Sequence, residues 1–293
     1  MKALPTVVEI VLESGGDIDG PRLSEIVEAM IERDARATAT HDGELGQIVL
    51  RATDEKHLLA LVTVLSAKVG DKLVAGSPQV TYREAFSDAT EADYTHKMHL
   101  GPTYQFGRVI IRFEPAQGRG IGFVNAIKPG DLPFDYISAV EQGILEAAAT
   151  GFLIGAPLTD FTATLVGAAY HDIDSSVRAF KMAARGAIKE AAATAGIKIL
   201  EPVMQIAVLT RPQWRKVVEN HLVRRRAALL ESNDPTIVVA TAPMAALFGV
   251  ENDLIEIADG EAAVAMIFDS YGDVPPSTFN PDDTLPAAAA LRA

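Results

Sequence analysis

One short stretch of the chain gathers several side chains that can move protons, bind metal ions or contact phosphates. The stretch Tyr170-His171-Asp172-Ile173-Asp174-Ser175-Ser176 contains an imidazole, two carboxylates and two hydroxyls. Ser175, His171 and Asp172 are the residue types of a hydrolase triad, but a triad forms from residues that converge in space rather than from neighbours in one turn. The sequence also lacks the Gly-x-Ser-x-Gly elbow that presents a nucleophilic serine. We therefore expect no catalytic residue here.

The same stretch, with two histidines upstream, also has the composition of a metal site. The candidate ligands are His96, His99, His171, Asp172 and Asp174. Metal ligands must share one face, and His-x-x-His on a strand or turn does not provide one. The chain has no cysteine, which removes thiolate ligands, disulfides and a cysteine nucleophile. We expect neither a bound metal nor a cofactor.

A second kind of chemistry, the binding of nucleotide phosphates, is suggested by closely spaced glycines. Gly118, Gly120 and Gly122 have the spacing of a phosphate-binding loop, but no Gly-Lys-Ser/Thr follows them or occurs elsewhere in the sequence. We interpret these glycines as a hairpin turn. We expect no hydrolysis of nucleotides through a loop of this type.

The residues on either side of the 170–176 stretch predict a strand before it and a helix after it. Small and β-branched residues over Phe161–Ala169 favour the strand. Apolar residues then recur at helical spacing: Val177, Phe180, Ala184, Ile188 and Ala191. Ser175 or Ser176 is placed to cap this helix, with Asp172 and Asp174 near its positive end, and Gly196 is placed to terminate it.

The overall composition is that of a soluble globular protein. Of 293 residues, 48% are hydrophobic and 22% are charged, and this length allows two domains or three small ones. The sequence shows neither a secretory signal nor an apolar run long enough to span a bilayer, so we expect a cytoplasmic protein. The net charge of −13 opposes binding to phosphates unless a local basic patch compensates.

The most basic patch of the sequence lies in its last third. It consists of Arg211, Arg215, Lys216, Arg224, Arg225 and Arg226. An arginine fork suits a phosphate because it binds two oxygens at once. The patch is equally consistent with a solvated helix face that is balanced by Glu219 and Glu231.

Strand and helix patterns predict an α+β protein of three small domains in series. Residues 1–86 follow the order β-α-β-β-α-β, which is the ferredoxin-like arrangement. Residues 87–199 predict strands, a helix from Pro133 to Gly151 and the helix after Ser176. Residues 200–275 return to the ferredoxin-like pattern, with a helix over 213–230 whose inward-facing residues are Val217, Val218, Leu222 and Leu229. Residues 276–293 predict a loose tail.

The middle segment resembles the fourth domain of bacterial elongation factor G, the ribosomal translocase. The resemblance rests on the 170–176 stretch with Ala179-Phe180-Lys181, on Gln105-Phe106-Gly107 and on the helix containing Glu141-Gln142-Gly143. It implies a fold like the second domain of ribosomal protein S5 for residues 87–199. Residues 1–86 similarly resemble the third domain, through Leu45-Gly46-Gln47 and the run from Pro78 to Glu84. Residues 200–275 resemble the fifth domain, through Leu200-Glu201-Pro202 and Phe248-Gly249.

The resemblance implies that two tip loops reach the duplex of messenger and transfer RNA in the decoding centre. In the first loop, a turn over 100–104 and the start of the next strand, the implied binding residues are Gly101, Pro102, Thr103, Tyr104 and Gln105. In the second loop they are His171, Asp172, Asp174 and Ser175. In the last domain they are Arg224, Arg225 and Arg226. The first loop departs from the family's glycine-rich pattern. Tyr104 there is equally suited to stack on a base or to pack within its own loop.

These observations lead to two hypotheses of function. The first is a stand-alone, non-enzymatic factor without the GTPase domain that binds the ribosome, with contacts to 16S- and 23S-type rRNA near the A site. It places Met1 at the start of a complete protein. The alternative is an interaction module that binds a separate GTPase or another protein without contacting RNA. Neither hypothesis involves a membrane or DNA.

Overall fold

A computed structural model describes residues 5–15, 20–42, 46–70, 73–100 and 103–274 of the protein. The helices are α1 (Gly20–Ile31), α2 (Glu55–Val69), α3 (Phe134–Thr150), α4 (Val177–Ala195), α5 (Pro212–Arg224) and α6 (Val250–Ile257). The strands are β1 (Val8–Ser14), β2 (Ala37–Asp42), β3 (Gln47–Ala52), β4 (Leu73–Ala75), β5 (Gln79–Val80), β6 (Arg83–Phe86), β7 (Thr90–Leu100), β8 (Thr103–Pro115), β9 (Ile121–Asn125), β10 (Phe161–Ala169), β11 (Ile197–Thr210), β12 (Ala228–Leu230), β13 (Ile237–Pro243) and β14 (Ala262–Asp273). The predicted class is confirmed, because small sheets and helices together form a mixed α+β protein.

The chain divides into two compact units, residues 83–200 and residues 1–82 with 201–293. The three boundaries predicted from the sequence, at 86, 199 and 275, stay a prediction, and the predicted tail over 276–293 lies outside the described residues. Within the described residues, no helix is both long and apolar enough to cross a membrane.

The first sheet, in the unit of 1–82 and 201–293, has the strand order β2-β3-β1-β4, with β5 also paired to β1. Its pairs are antiparallel, with Ile10 opposite Leu50 in the β1–β3 pair. The connections through α1 and α2 give the ferredoxin-like order that the sequence predicts. Asp54 begins α2, because its carboxylate accepts a hydrogen bond of 2.8 Å from the amide of His57.

The second sheet of the same unit has the order β12-β13-β11-β14. It repeats the arrangement of the first sheet, with α5 and α6 as the connecting helices. Alternate residues of β11 from Met204 to Val208 are buried, so one face of the strand lines a core. The core of this part also contains Val218 and Leu222 of α5 and Leu254 of α6.

The predicted helix over 213–230 is wrong in its last third. Helix α5 ends at Arg224, and Arg226 adopts a left-handed conformation with φ of 62° that no helix continues through. Residues 228–230 form β12 instead, with Leu229 opposite Ala240. Leu229 on β12 is 42% exposed and Val217 within α5 is 45% exposed, so neither faces inward as expected. Val218 and Leu222 are buried, as predicted.

The unit of residues 83–200 contains a four-stranded sheet of order β7-β8-β10-β9. Strands β9 and β10 are parallel and are connected through α3, whereas β8 is antiparallel to both β7 and β10. Phe86, Phe113 and Phe161 meet in the core at ring-centroid distances of 5.3 to 6.1 Å. Helices α3 and α4 supply the rest of this core.

Two turn predictions in this unit need correction. The glycines at 118, 120 and 122 do not form a hairpin, because β10 lies between β8 and β9 and pairs with both. The predicted turn over 100–104 is shorter than expected, because Leu100 pairs with Thr103 and places Tyr104 inside β8. Gly101 and Pro102 lie outside the described residues.

Close packing of α3 against α4 depends on small residues. A β-carbon at Gly143 would lie 2.5 Å from the carbonyl oxygen of Lys181, which is closer than real contacts allow. The facing side of α4 is lined by alanines, including Ala184 and Ala187, which are fully buried. The two helix backbones therefore approach closely, and this fixes the first turn of α4 relative to α3.

The two ends of this unit meet. Strand β6 at its start pairs antiparallel with the first residues of β11 at its end, with Arg83 opposite Leu200 and Phe86 opposite Ile197. Beside this pair, the buried carboxylate of Glu84 accepts hydrogen bonds from the amides of Phe152, Leu153 and Ile154 at 2.6, 3.1 and 2.8 Å. These amides lie beyond the end of α3 and need acceptors from outside the helix, so Glu84 joins the segment after α3 to the strand pair that closes the unit.

The substitution Glu84→Gln is expected to destabilise the protein by about 1–3 kcal/mol, because its NH2 group would replace one of the two oxygens that accept from the amides of Phe152, Leu153 and Ile154. Urea-induced unfolding measures the change in free energy. The matched control is Glu114→Gln, which makes the same change at an exposed position and should stay within about 0.5 kcal/mol of the parent. Equal stabilities of the two variants would contradict the role assigned to Glu84.

Candidate nucleic-acid interface

The 170–176 loop lies between β10 and α4, as the sequence predicts. Ser176 is the residue that caps α4, because its hydroxyl accepts a hydrogen bond of 3.2 Å from the amide of Ala179. Of the two serines that the sequence offered as caps, Ser175 has a different partner. The helix begins directly after this cap and holds the C-terminal end of the loop in place.

Ser175 connects the loop to strand β8. Its hydroxyl donates a hydrogen bond of 2.8 Å to the carbonyl of Phe106 and accepts one of 2.9 Å from the amide of His171. The backbone adds a bond of 2.9 Å from the amide of Phe106 to the carbonyl of Asp174. The loop is therefore closed on itself and attached to the β7–β8 hairpin, so the two predicted segments lie side by side.

Two further contacts fix this attachment. A β-carbon at Gly107 would lie 3.2 Å from the backbone carbonyl of Ala179, so glycine permits the close approach of β8 to the start of α4. Tyr136 of α3 stacks on Phe180 at 4.6 Å and donates a hydrogen bond of 3.2 Å to the carbonyl of Ser175. No pattern in the sequence signals this role of Tyr136, because its partners lie about 40 residues away along the chain.

The loop exposes the side chains at its centre. Ile173 is 85% exposed, and Asp172 and His171 are also exposed. The Nδ1 atom of His171 lies 3.3 Å from the amide of Ile173 and 3.3 Å from a carboxylate oxygen of Asp174. In the tautomer in which Nδ1 accepts from the amide of Ile173, Nε2 carries the hydrogen, and the exposed ring then offers a donor.

The adjacent hairpin presents one exposed aromatic residue. Tyr104 is 56% exposed, and its ring packs against His99 at a centroid distance of 3.9 Å. Of the two interpretations left open for Tyr104, packing within the hairpin is therefore present, while much of the ring stays accessible. Gln105 is engaged within the hairpin, because its amide oxygen lies 3.2 Å from Nε2 of the buried His96.

The histidines and carboxylates do not assemble into a metal site. His96 is buried and bound to Gln105, whereas His99 packs on Tyr104. Among the residues that the structure describes, no three His, Cys, Asp or Glu side chains are grouped as a metal ion would require.

Most side chains of the basic patch in the last third form contacts within the protein. Arg225 donates hydrogen bonds to the carbonyls of Ala246 and Phe248 at 3.0 and 2.9 Å and pairs with Asp253. Arg226 lies 3.3 Å from the buried Glu201. Arg224 is exposed, so of the three predicted arginines it is the one whose side chain faces solvent without a partner among the described residues.

Arg225 also determines the state of a neighbouring histidine. Its Nε donates a hydrogen bond of 3.0 Å to Nε2 of His221, which must accept and is therefore neutral at that nitrogen. Burial lowers the pKa of His221, and the positive charge of Arg225 lowers it further, whereas Asp253 opposes the shift. The imidazole is thus a fixed part of the α5–α6 packing.

Two family models match most of the chain. The model of elongation factor G, domain IV, matches residues 78–196, and the model of the elongation factor G C-terminus matches residues 198–281. Elongation factor G of Wolbachia pipientis subsp. Culex pipiens (strain wPip) is 35% identical over 274 residues, which cover 92% of this chain and 40% of that protein.

A crystal structure of a protein from Thermus thermophilus has a similar fold. Its TM-score is 0.74 at 31% sequence identity, and the similarity covers 94% of this chain and 42% of that one. The chain therefore spans less than half the length of the curated relative and of the solved structure. Residues 1–77 lie outside both family models, although the alignment with the curated relative extends into them.

The two serines of the loop are expected to behave differently when replaced by alanine. Ser175→Ala removes the bond to Phe106 and should speed hydrogen exchange at the amide of Phe106, which bonds the carbonyl of Asp174. Ser176→Ala removes the helix cap, costs about 1 kcal/mol, and should speed exchange at the amide of Ala179 instead. Identical exchange patterns in the two variants would contradict the separate roles.

Protonation of His221 is expected to weaken the folded state. Because its pKa is lowered from 6.5 on folding, the unfolded chain takes up the proton first as the pH falls. The stability that neutral His221 contributes is complete above about pH 6.5 and is lost below it. Urea unfolding at neutral and at mildly acidic pH should show a smaller loss for His221→Gln than for the parent. An equal loss in both proteins would contradict this assignment.

Proposed function

Because the chain belongs to the elongation factor G family over residues 78–281, we propose that it binds the ribosome through the tip of the 83–200 unit. The tip consists of Tyr104 and the 170–176 loop. The observation that carries the proposal is the bridge from Ser175 to Phe106, which unites two segments distant in sequence and leaves His171, Ile173 and Tyr104 accessible together.

The chemistry of the tip suits unpaired or splayed RNA bases and their backbone. An exposed tyrosine ring stacks on a base, and an imidazole N–H donates to a phosphate or a 2′-hydroxyl. The carboxylates of Asp172 and Asp174 disfavour a purely electrostatic mode, so shape and stacking would contribute more than phosphate neutralisation. In this proposal the ribosomal contact is with 16S-type rRNA near the A site, and Gly101, Pro102 and Thr103 contribute to it as the resemblance implies.

The distribution of charge supports the 83–200 unit as the RNA-binding part. It contains 11 Lys and Arg against 13 Asp and Glu, whereas the remainder of the chain contains 15 against 26. The acidity that opposes phosphate binding is therefore concentrated outside this unit. Arg224 would provide a contact to 23S-type RNA from the last domain, while Arg225 and Arg226 are engaged in holding the fold.

The proposed role is binding in translation, without hydrolysis by this chain. No Gly-x-x-x-x-Gly-Lys-Ser/Thr occurs in its sequence, so the phosphate loop of the family's GTPase domain has no counterpart here. We further propose that residues 1–86, 87–199 and 200–275 act as units like the third, fourth and fifth domains of elongation factor G, and that the protein acts in the cytoplasm.

A second candidate is an interaction module that binds a separate GTPase. The observation that favours it is the internal pairing of Arg225 and Arg226 in an acidic surrounding, which leaves little positive charge for RNA in the last domain. A pull-down from nuclease-treated lysate separates the two candidates. A protein partner survives the nuclease, whereas a partner retained only through RNA does not.

Co-sedimentation with 70S ribosomes tests the proposed function. We expect the protein to pellet with ribosomes at low salt and to be released as salt rises. Tyr104→Ala should weaken binding by about 1–3 kcal/mol, or roughly 5- to 150-fold, if its ring stacks on a base. Absence of the parent protein from the pellet in the lowest salt would reject the proposal.

The control variant is Arg119→Ala, at the opposite end of β8 from Tyr104. Arg119 is exposed in the loop that connects β8 to β9. Its replacement should leave co-sedimentation unchanged if binding occurs at the tip. Equal weakening by Arg119→Ala and Tyr104→Ala would show that the tip is not the contact.

A further inference from the structure

A row of basic residues follows the outer side of α4. Arg178, Arg185 and Lys189 are all exposed and are spaced seven and four residues apart. These intervals return to nearly the same side of a helix, so the three charges share one face. We call them the α4 stripe. At a rise of 1.5 Å per residue the stripe is about 17 Å long.

Within the part of the chain that the structure describes, no acidic side chain pairs with the α4 stripe. Lys181, on the neighbouring edge of α4, pairs with Glu146 of α3. By contrast, none of the three stripe residues has an ion-pair partner among the described residues, although Glu190 adjoins Lys189 on the same helix. In an acidic protein with 39 Asp and Glu, the α4 face is distinguished by three such basic side chains aligned on one side of a helix.

The strand next to α4 adds no negative charge to this face. Tyr94 of β7 packs towards α4, because a β-carbon at Gly186 would fall within its ring. Side chains alternate along a strand, so Glu91 and Asp93 lie on the opposite face of the sheet. There Asp93 bonds Arg108 at 2.8 Å and Glu91 lies 3.6 Å from Arg112. The acids of β7 are thus directed away from the stripe.

Packing and folding do not require these three charges. The side of α4 that faces the core is built from alanines and Phe180. Arg185 and Lys189, four residues apart, repel each other by a few tenths of a kcal/mol. An external polyanion that bound both side chains would offset this cost.

We propose that the α4 stripe binds the phosphates of an RNA backbone, as a second contact that extends the proposed tip. Arg178 follows Ser176 by two residues, so the stripe begins at the tip and leads away from it along α4. An RNA strand held at the tip would continue along the helix. The inference deepens the proposed function and rests on it for the identity of the RNA.

An RNA partner fits this face better than an acidic protein. The core of a protein–protein interface is apolar and depleted of lysine. The large apolar side chain on the same face of α4 as the stripe is Met182, which is only 37% exposed. RNA-binding surfaces are instead polar and positively charged, and arginine forks bind phosphates in two-point contacts.

The experiment measures binding of the full chain to a short fluorescent RNA duplex over a salt series. The stripe variant carries Arg185→Ala and Lys189→Ala, which lie away from the tip loop. Each phosphate contact contributes about 1 to the slope of log affinity against log salt, so the slope should fall by about 2 in this variant. The control variant carries Arg33→Ala and Arg119→Ala, which remove the same charge at exposed sites elsewhere and should keep the parent slope.

Three results would overturn the inference. The first is a salt slope in the stripe variant equal to that of the parent. The second is a parent protein that binds no RNA duplex at the lowest salt. The third is binding of a fluorescent polyglutamate peptide with the same dependence on Arg185 and Lys189. The last result would assign the stripe to an acidic protein. Circular dichroism of both variants verifies that each is folded.

This test is separable from that of the proposed function. If the protein fails to pellet with ribosomes but binds the duplex through the stripe, the inference about the stripe stands and the proposed ribosomal role is rejected. If the protein pellets normally and the salt slope for the duplex is unchanged in the stripe variant, the ribosomal role stands and the inference about the stripe is rejected.

Discussion

The tip of the 83–200 unit depends on one hydroxyl group. Ser175 joins the carbonyl of Phe106 to the amide of His171, two groups that are far apart in sequence and would otherwise have only solvent as partner. The helix cap by Ser176 fixes only one end of the loop, and the hydroxyl of Ser175 fixes the other. With both ends held, the exposed side chains of the loop need no partners of their own and remain available for binding.

Local features of the structure could be predicted from the sequence, whereas the partners of individual side chains could not. Caps and helix ends depend on neighbouring residues, and Ser176, Gly151 and Gly196 act where the pattern indicated. Insertion of β10 between β8 and β9 depends on pairing across more than 35 residues, which spacing does not encode. The end of α5 at Arg224 was not predicted either, because it depends on the left-handed conformation of Arg226 and on the pairing of β12 with β13.

Neither the net charge nor the density of arginines in the sequence indicates which basic side chains are free to bind an anionic ligand. The arginine cluster that is densest in sequence is largely used to hold α5 against α6, through Arg225 and its carbonyl and carboxylate partners. The three basic residues of the α4 stripe are spread over about three helical turns, so they do not form a recognisable basic cluster in the sequence. Their availability follows from the pairing of nearby acids with other residues, which only the structure reveals.

The pairing of β6 with the start of β11 has a consequence for how this unit relates to the chain. Its first and last residues, Arg83 and Leu200, lie opposite each other in one antiparallel pair. A polypeptide whose ends adjoin needs only a short linker to be circularly permuted, with new termini opened in a surface loop such as the one around Arg119. For the same reason residues 83–200 can be inserted into a loop of an unrelated protein, because adjacent ends allow both connections to be short.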